Sequence, residues 1–256
     1  MHHRALGCKL YNTTGKEETM RAKIAKKETV AELTCYAEFE LPEPVNFIPG
    51  QYFFVTVKPS DDIHKDELTH HFSIVNSPSQ NNILALTTRL RLDQSLFKRT
   101  LNDAKVGDEV EIGKISGSFI LPDETAKPIV LIALGIGITP YISMLRWAFE
   151  ENKPYQFAVI YSDNEIKSMA FLDELKQMDQ DHDNLKLIIS VTQDDTWDGE
   201  KRHVDGDFVK EYLADGYAGQ LYFVSGPPAA VEGVTASLKQ AGIAEEAIRT
   251  DSFSGY

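Results

Sequence analysis

The pattern of apolar and polar positions changes character near residue 122. Upstream, short runs alternate apolar and polar side chains, and alternation sends successive residues to opposite faces of a strand. These runs predict strands over 21–27, 31–41, 52–57, 72–76, 83–88 and 109–112. Turn signals separate them at Pro49-Gly50, Pro59-Ser60-Asp61-Asp62, Pro78-Ser79 and Val106-Gly107-Asp108. One helix is predicted over 93–101, with Asp93 as its N-cap and Leu96, Phe97 and Leu101 on one face. Short strands of this kind suit a small antiparallel barrel.

Beyond the polar stretch Pro122-Asp123-Glu124-Thr125-Ala126-Lys127 the period changes. Continuous apolar runs at 129–134, 157–161, 185–191 and 221–225 predict strands. Between them lie predicted helices over 140–151, 168–179, 207–214 and 229–241, and a last strand over 248–253. Apolar strands flanked by helices imply a parallel sheet covered on both faces. The expected fold class is therefore two-domain. An N-terminal antiparallel β-barrel over 18–122 precedes an α/β parallel-sheet domain over 123–256.

Composition excludes several partners. The 256 residues are 42% apolar, and 26 Lys and Arg against 39 Asp and Glu give a net charge of −13. That balance disfavours nucleic acid and anionic membrane surfaces, which attract basic proteins. No run reaches the roughly 18 apolar residues that a membrane span requires. Cys8 and Cys35 are too few for an iron–sulfur cluster or a disulfide framework. His2, His3, His64, His182 and His203 show no metal-ligand spacing, so no metal site is expected. The start, Met1-His2-His3-Arg4, lacks the apolar core of a secretion signal, and a cytoplasmic location is expected.

Two turns carry candidate chemistry. Leu134-Gly135-Ile136-Gly137-Ile138-Thr139-Pro140 joins the first strand of the second half to its first helix. Gly135 permits a tight turn, and Gly137 lets a ligand approach bare backbone. Thr139 suits the N-cap and Pro140 the first helical position, so free N–H groups there form an anion site. Pro140 stands where Gly-x-Gly-x-x-Gly would place a third glycine, and an ordinary glycine turn is the alternative. Ser225-Gly226-Pro227-Pro228 opens a second helix after another core strand. Both turns lie at the strand ends where open α/β sheets bind ligands.

With these turns, four segments of the first half complete an ordered set. They are Pro49-Gly50-Gln51-Tyr52, His70-His71-Phe72-Ser73-Ile74-Val75-Asn76-Ser77-Pro78, Ser95-Leu96-Phe97-Lys98 and Gly117-Ser118-Phe119, and Phe253-Ser254-Gly255-Tyr256 closes the chain. Over about residues 20–256 the chain resembles the ferredoxin–NADP reductase superfamily. The resemblance implies an FAD-binding barrel and an NAD(P)H-binding second domain. The family's Arg-x-Tyr-Ser motif becomes His70-x-Phe72-Ser73, a form similar to that of the NADPH-oxidase and ferric-reductase branch. Residue 70 would then sit by flavin phosphate, Phe72 against the ring system and Ser73 near its N5.

The same resemblance implies flavin contacts at His71, Asn76, Ser77, Ser95 and Gly117. Arg89 and Arg91 would supply the missing cation, or form a solvated edge pair. The dinucleotide would meet Gly135, Gly137, Thr139, Pro140, Ser162, Asp163, Gly226 and Pro227. Ser225 stands where the family has a cysteine near the nicotinamide, and is expected to position it. Phe253, or alternatively Tyr256, would cover the flavin face. Asp163 favours the 2′-hydroxyl of NADH over the 2′-phosphate of NADPH, with Lys167 close by in sequence.

The implied reaction is hydride transfer from NAD(P)H to flavin N5, with Ser73, Ser225 and Phe253 at the reacting centre. Electrons would pass on to ferredoxin or flavodoxin, which Lys98, Arg99 and Lys105 could receive unless they form a solvated face. The alternatives are a free-flavin or ferric reductase with a small acceptor, an electron-transfer subunit, and a non-catalytic nucleotide-binding module.

Overall fold

The computed structural model describes residues 19–57, 68–93, 95–213 and 219–253. The expected turn at residues 59–62, the helix end at residue 214 and Tyr256 lie outside these. Among the described residues no helix is long and apolar enough to cross a membrane.

The first half is an antiparallel six-stranded sheet. Its strands are β1 (Met20–Ala31), β2 (Thr34–Glu40), β3 (Tyr52–Val57), β4 (Thr69–Ser73), β5 (Ile83–Arg89) and β6 (Glu109–Ser116), in the order β4-β3-β6-β1-β2-β5. Alternate residues such as Ala22, Ile24, Phe53 and Val55 point inward and are buried. The sheet curls until its two end strands approach, and Val75 N–H donates to Ala85 O at 3.0 Å. β1 runs on to Ala31, and the turn falls at Glu32-Leu33, with Leu33 at φ 51. The expected strand over 31–41 therefore begins three residues late. Leucine in the left-handed region is a turn that no Gly, Asn or Pro announces.

Helix α1 (Leu96–Asp103) follows β5 and buries Phe97, Lys98 and Leu101 against the sheet. Ser95, not Asp93, is its N-cap and accepts from Lys98 N–H at 3.3 Å.

The second half is a parallel sheet in the order β11-β10-β7-β8-β9. Its strands are β7 (Ile129–Leu134), β8 (Phe157–Asp163), β9 (Leu185–Val191), β10 (Leu221–Gly226) and β11 (Ile248–Ser252). β7 is buried along its whole length, as a central strand covered on both faces must be. The helices are α2 (Thr139–Glu150), α3 (Leu172–Asp181), α4 (Gly206–Leu213) and α5 (Pro228–Gln240). A 3-10 turn at Gly135–Ile138 leads into α2 and puts Ile138 at the capping position. Thr139 is already helical there. Its hydroxyl donates to Ile136 O at 3.1 Å instead of capping the helix.

The halves share a core. Tyr36, Val75, Ala85, Phe119 and Leu121 of the first half pack in one cluster with Leu131, Tyr141, Met144 and Phe223 of the second. Arg146 of α2 pairs with Glu174 of α3 at 2.7 Å and donates to Val75 O at 3.1 Å, fastening the seam.

Candidate active site

Strands β4 and β5 are the two ends of the sheet order. Between them opens a cleft of about 560 Å³, mouth included, lined by His70, His71, Phe72, Ser73, Thr87, Thr88 and Lys98. His70 and Phe72 share a face of β4 and meet the Phe97 ring at 4.9 and 5.2 Å between centroids. His71 points the other way, against Tyr52 and Phe54. Ile136 and Thr139 bring the β7–α2 turn onto the cleft, and Phe253 completes its wall. Phe253 is held there by its N–H, which donates to Gly226 O at 3.0 Å.

The cleft is electrostatically unusual. Burial, aided by the charge of Arg91, pushes the Lys98 ammonium down to about 8. Burial also lowers the His70 imidazole, followed by the charges of Lys98 and His71. Thr87 Oγ1 is buried and meets no hydrogen-bond partner among the described residues. Ser95 caps the adjoining helix, where free N–H groups gather.

A second crevice opens at the carboxyl ends of β7 and β8, beside β10. Strand order reverses at the β7–β10 boundary, the place where open α/β sheets take ligands. Gly135 makes the turn at φ +59, and a Cβ there would meet Arg89 Nη2 at 3.4 Å. Arg89 reaches across from β5 to pair with Asp163, so it faces this crevice and not the β4–β5 cleft. Arg91 lines the same crevice. Burial raises the Asp163 carboxyl above its ordinary pKa, opposed by Arg89 and by Asn164 N–H, which donates at 2.7 Å. Arg89 Nε is buried without a partner among the described residues. Lys167 is drawn off to Glu32 at 3.2 Å and Glu165 at 3.1 Å. Ser162 and Pro227 complete the wall.

Several expected residues stand elsewhere. The Asn76 amide donates to Ile83 O at 2.9 Å and accepts from Ala85 N–H at 2.9 Å, which ties the loop after β4. The Ser77 hydroxyl donates to Glu150 of α2. At Gly137 a Cβ would lie 2.1 Å from Ser225 O, so the close approach there is between two turns of the chain itself. Ser225 is wholly buried in that contact, and its Oγ meets no partner among the described residues. Pro140 is buried in the first turn of α2, and Gly226 adopts φ +151 against Leu134 O. Gly117, at φ +120, lines a third groove with Tyr52, Arg249 and Asp251. Burial pushes the Asp251 carboxyl up to about 6, which its place on a mixed terminal strand did not signal.

Residues 131–236 match the family described as the oxidoreductase NAD-binding domain. In sequence the chain is similar to flavohemoproteins and to reductase components of oxygenases. It is 25% identical over 241 residues to flavohemoprotein B of Dictyostelium discoideum, covering 85% of this chain and 54% of that one. It is 25% identical over 217 residues to the reductase component of phenol 2-monooxygenase from Pseudomonas sp. strain CF600, covering 84% and 60%. The chain thus spans about half the length of the curated relatives it matches. Among solved structures, the flavohem-like FAD/NAD-binding domain of nitric oxide dioxygenase from Vibrio cholerae superposes with a TM-score of 0.80 at 18% identity. That match covers 93% of this chain and 99% of the other. The cytochrome b5 reductase domain of Ulva prolifera nitrate reductase gives 0.77 at 16% identity, covering 91% and 97%.

Proposed function

We propose that this chain is an NAD(P)H-dependent flavin oxidoreductase, with FAD in the β4–β5 cleft and the nicotinamide dinucleotide in the crevice beside β7. Residues 18–122 form the flavin unit and 123–256 the nicotinamide unit. One observation carries this reading: Ile136 lines both cavities, so the two ligand sites meet at the Gly135–Ile138 turn. Hydride transfer needs donor and acceptor in direct contact, and two clefts joined at one turn provide it.

The residues fit an FAD. The cleft offers an aromatic wall in Phe72, a capped helix start, a buried lysine and an orphaned threonine hydroxyl. FAD, when bound, would supply the hydride acceptor and the redox chemistry of the site. Ser73 offers its hydroxyl to the ring edge. Phe253 screens the cleft from water and gives way to the nicotinamide ring. Gly135 opens the turn to the pyrophosphate, and Asp163 recognises the adenosine ribose, which favours NADH. Ser225 serves through its backbone, holding the two turns together.

The onward acceptor is proposed as a redox protein of the ferredoxin or flavodoxin class. In support, the chain is similar in sequence to component C of methane monooxygenase and to the reductase component of phenol 2-monooxygenase. A free flavin or a ferric chelate is the alternative. Steady-state NADH oxidation against acceptor concentration separates them. Saturation with a protein acceptor supports the proposal, and equal rates with free flavin alone contradict it.

A further inference from the structure

Two arginines cross the seam between the halves, and they are satisfied to different degrees. Arg146 meets Glu174 fork to fork, its Nε donating to Oε1 at 2.7 Å and its Nη2 to Oε2 at 2.9 Å. Its Nη1 donates to Val75 O of the other half at 3.1 Å. That arrangement uses the planar guanidinium fully and fastens the seam. Arg89 meets Asp163 through Nη2 alone, and its Nε is buried without a partner among the described residues. A guanidinium that gives up hydration for a single contact is held less firmly.

This second pair closes off the Asp163 carboxylate. The Asp163 side chain is 3% exposed, against 23% for Arg89. One carboxylate oxygen accepts from Arg89 and the other from Asn164 N–H at 2.7 Å. Ribose hydroxyls cannot reach a carboxylate so enclosed while Arg89 stays in place. The guanidinium also lies over the Gly135 turn, where Nη2 is 3.4 Å from the position of a Cβ. A dinucleotide entering against the bare backbone of that turn meets Arg89 first.

We propose that the Arg89–Asp163 pair is a latch across the seam, which the nicotinamide dinucleotide opens when it takes Asp163. The inference rests on the dinucleotide crevice proposed above and adds a residue of the flavin unit that sets how tightly the crevice binds. Latch and ligand compete for one carboxylate, so affinity is reduced by the fraction of molecules in which the pair is open. Arg89 stands on β5 two residues beyond Thr87 of the flavin cleft wall, so the latch ties the strand bordering one cleft to the wall of the other.

The test is calorimetric titration of the full chain with NAD+, which an oxidised flavin cannot consume. It is run on the wild type and on Arg89→Ala, Arg89→Gln and Arg89→Lys, with melting temperatures taken with and without NAD+. Arg89→Ala admits water to Asp163 and is expected to bind NAD+ about three- to tenfold more tightly, the gain from an open latch. The same variant should melt lower without NAD+, because a buried pair is broken. Saturating NAD+ should raise its melting temperature by more than it raises that of the wild type. Arg89→Gln keeps most of the length and loses the charge. It should also bind NAD+ more tightly, which gives the reading if Arg89→Ala does not fold. Arg89→Lys keeps a cation on Asp163 and should bind NAD+ less tightly than either. Weaker NAD+ binding in Arg89→Ala and Arg89→Gln overturns the inference, because Arg89 is then a contact for the ligand. A lower melting temperature with unchanged NAD+ affinity overturns it too, because the pair then only fastens the seam. Both results leave the crevice standing as the dinucleotide site. A wild type that binds neither NAD+ nor NADH overturns the crevice reading itself and this inference with it.

Discussion

Asp163 and Arg89 show how one residue's meaning depends on its partner. Asp163 alone suggests ribose recognition; paired with Arg89 across the seam, it also neutralises a cation inside the crevice. Removing the carboxylate frees that cation beside the proposed ribose position. Asp163→Asn is expected to raise the ratio of kcat/KM for NADPH to that for NADH by about tenfold, roughly 1.4 kcal/mol. An unchanged ratio would remove Asp163 from cofactor selection. Asp251 makes a different point. Burial lifts its pKa from the ordinary carboxylate range to about 6, so the fold favours the protonated acid. Stability should therefore fall as pH rises from about 4 to about 6 and stay level above that. Asp251→Asn is expected to stabilise the protein by about 1–2 kcal/mol at pH 7, a figure reduced for the open groove, and by nothing at pH 4. Thermal melts of both proteins at the two pH values would show it, and equal melting temperatures at pH 7 would contradict it.

The βα turns and α1 set the geometry at the scale of elements. The Gly135–Ile138 turn and the Ser225–Gly226 turn touch so closely that neither can take a side chain at Gly137. Gly137→Val is expected to cost about 3 kcal/mol, the upper end for overpacking, and to lower the melting temperature with or without nucleotide. A stable variant with only a raised KM for NADH would instead mark Gly137 as a ligand contact. Phe253→Ala is expected to raise flavin fluorescence and to change KM for NADH, since the ring lines the flavin cleft beside Ile136. A loss of melting temperature alone would reduce Phe253 to packing.

At this scale the sequence was informative where patterns are long. β7 to β10 fall within two residues of their apolar runs because continuous burial leaves one reading. The turn at Leu33, the 3-10 entry to α2 and the cap at Ser95 were missed, since each depends on local backbone geometry without a strong composition signal. Lys98 was read as surface because lysine on an amphipathic helix normally faces water. Only the fold shows that it points inward.

The two halves act as one body because Phe119 carries the barrel into the second core, meeting Phe223 at 5.3 Å and Tyr141 at 6.0 Å. The protein should unfold in a single calorimetric transition whose van't Hoff and calorimetric enthalpies agree. Phe119→Ala, at about 3–5 kcal/mol, should lower that transition and separate the two halves. Two well-resolved transitions in the wild type would contradict the shared core. This seam was invisible in the sequence, since no local pattern tells which barrel residues meet which helices, although the two-domain plan and the strand ends at β7 and β10 were legible.

The central claim is that the two clefts bring a reduced nicotinamide against a bound flavin. Anaerobic mixing of the FAD-loaded protein with one equivalent of NADH tests it most directly, followed through the flavin's visible absorbance. The account predicts rapid bleaching of the yellow colour, with a rate that saturates as NADH rises and that drops in Phe72→Ala or Asp163→Asn. A protein that binds FAD and keeps its colour under excess NADH and NADPH would contradict it.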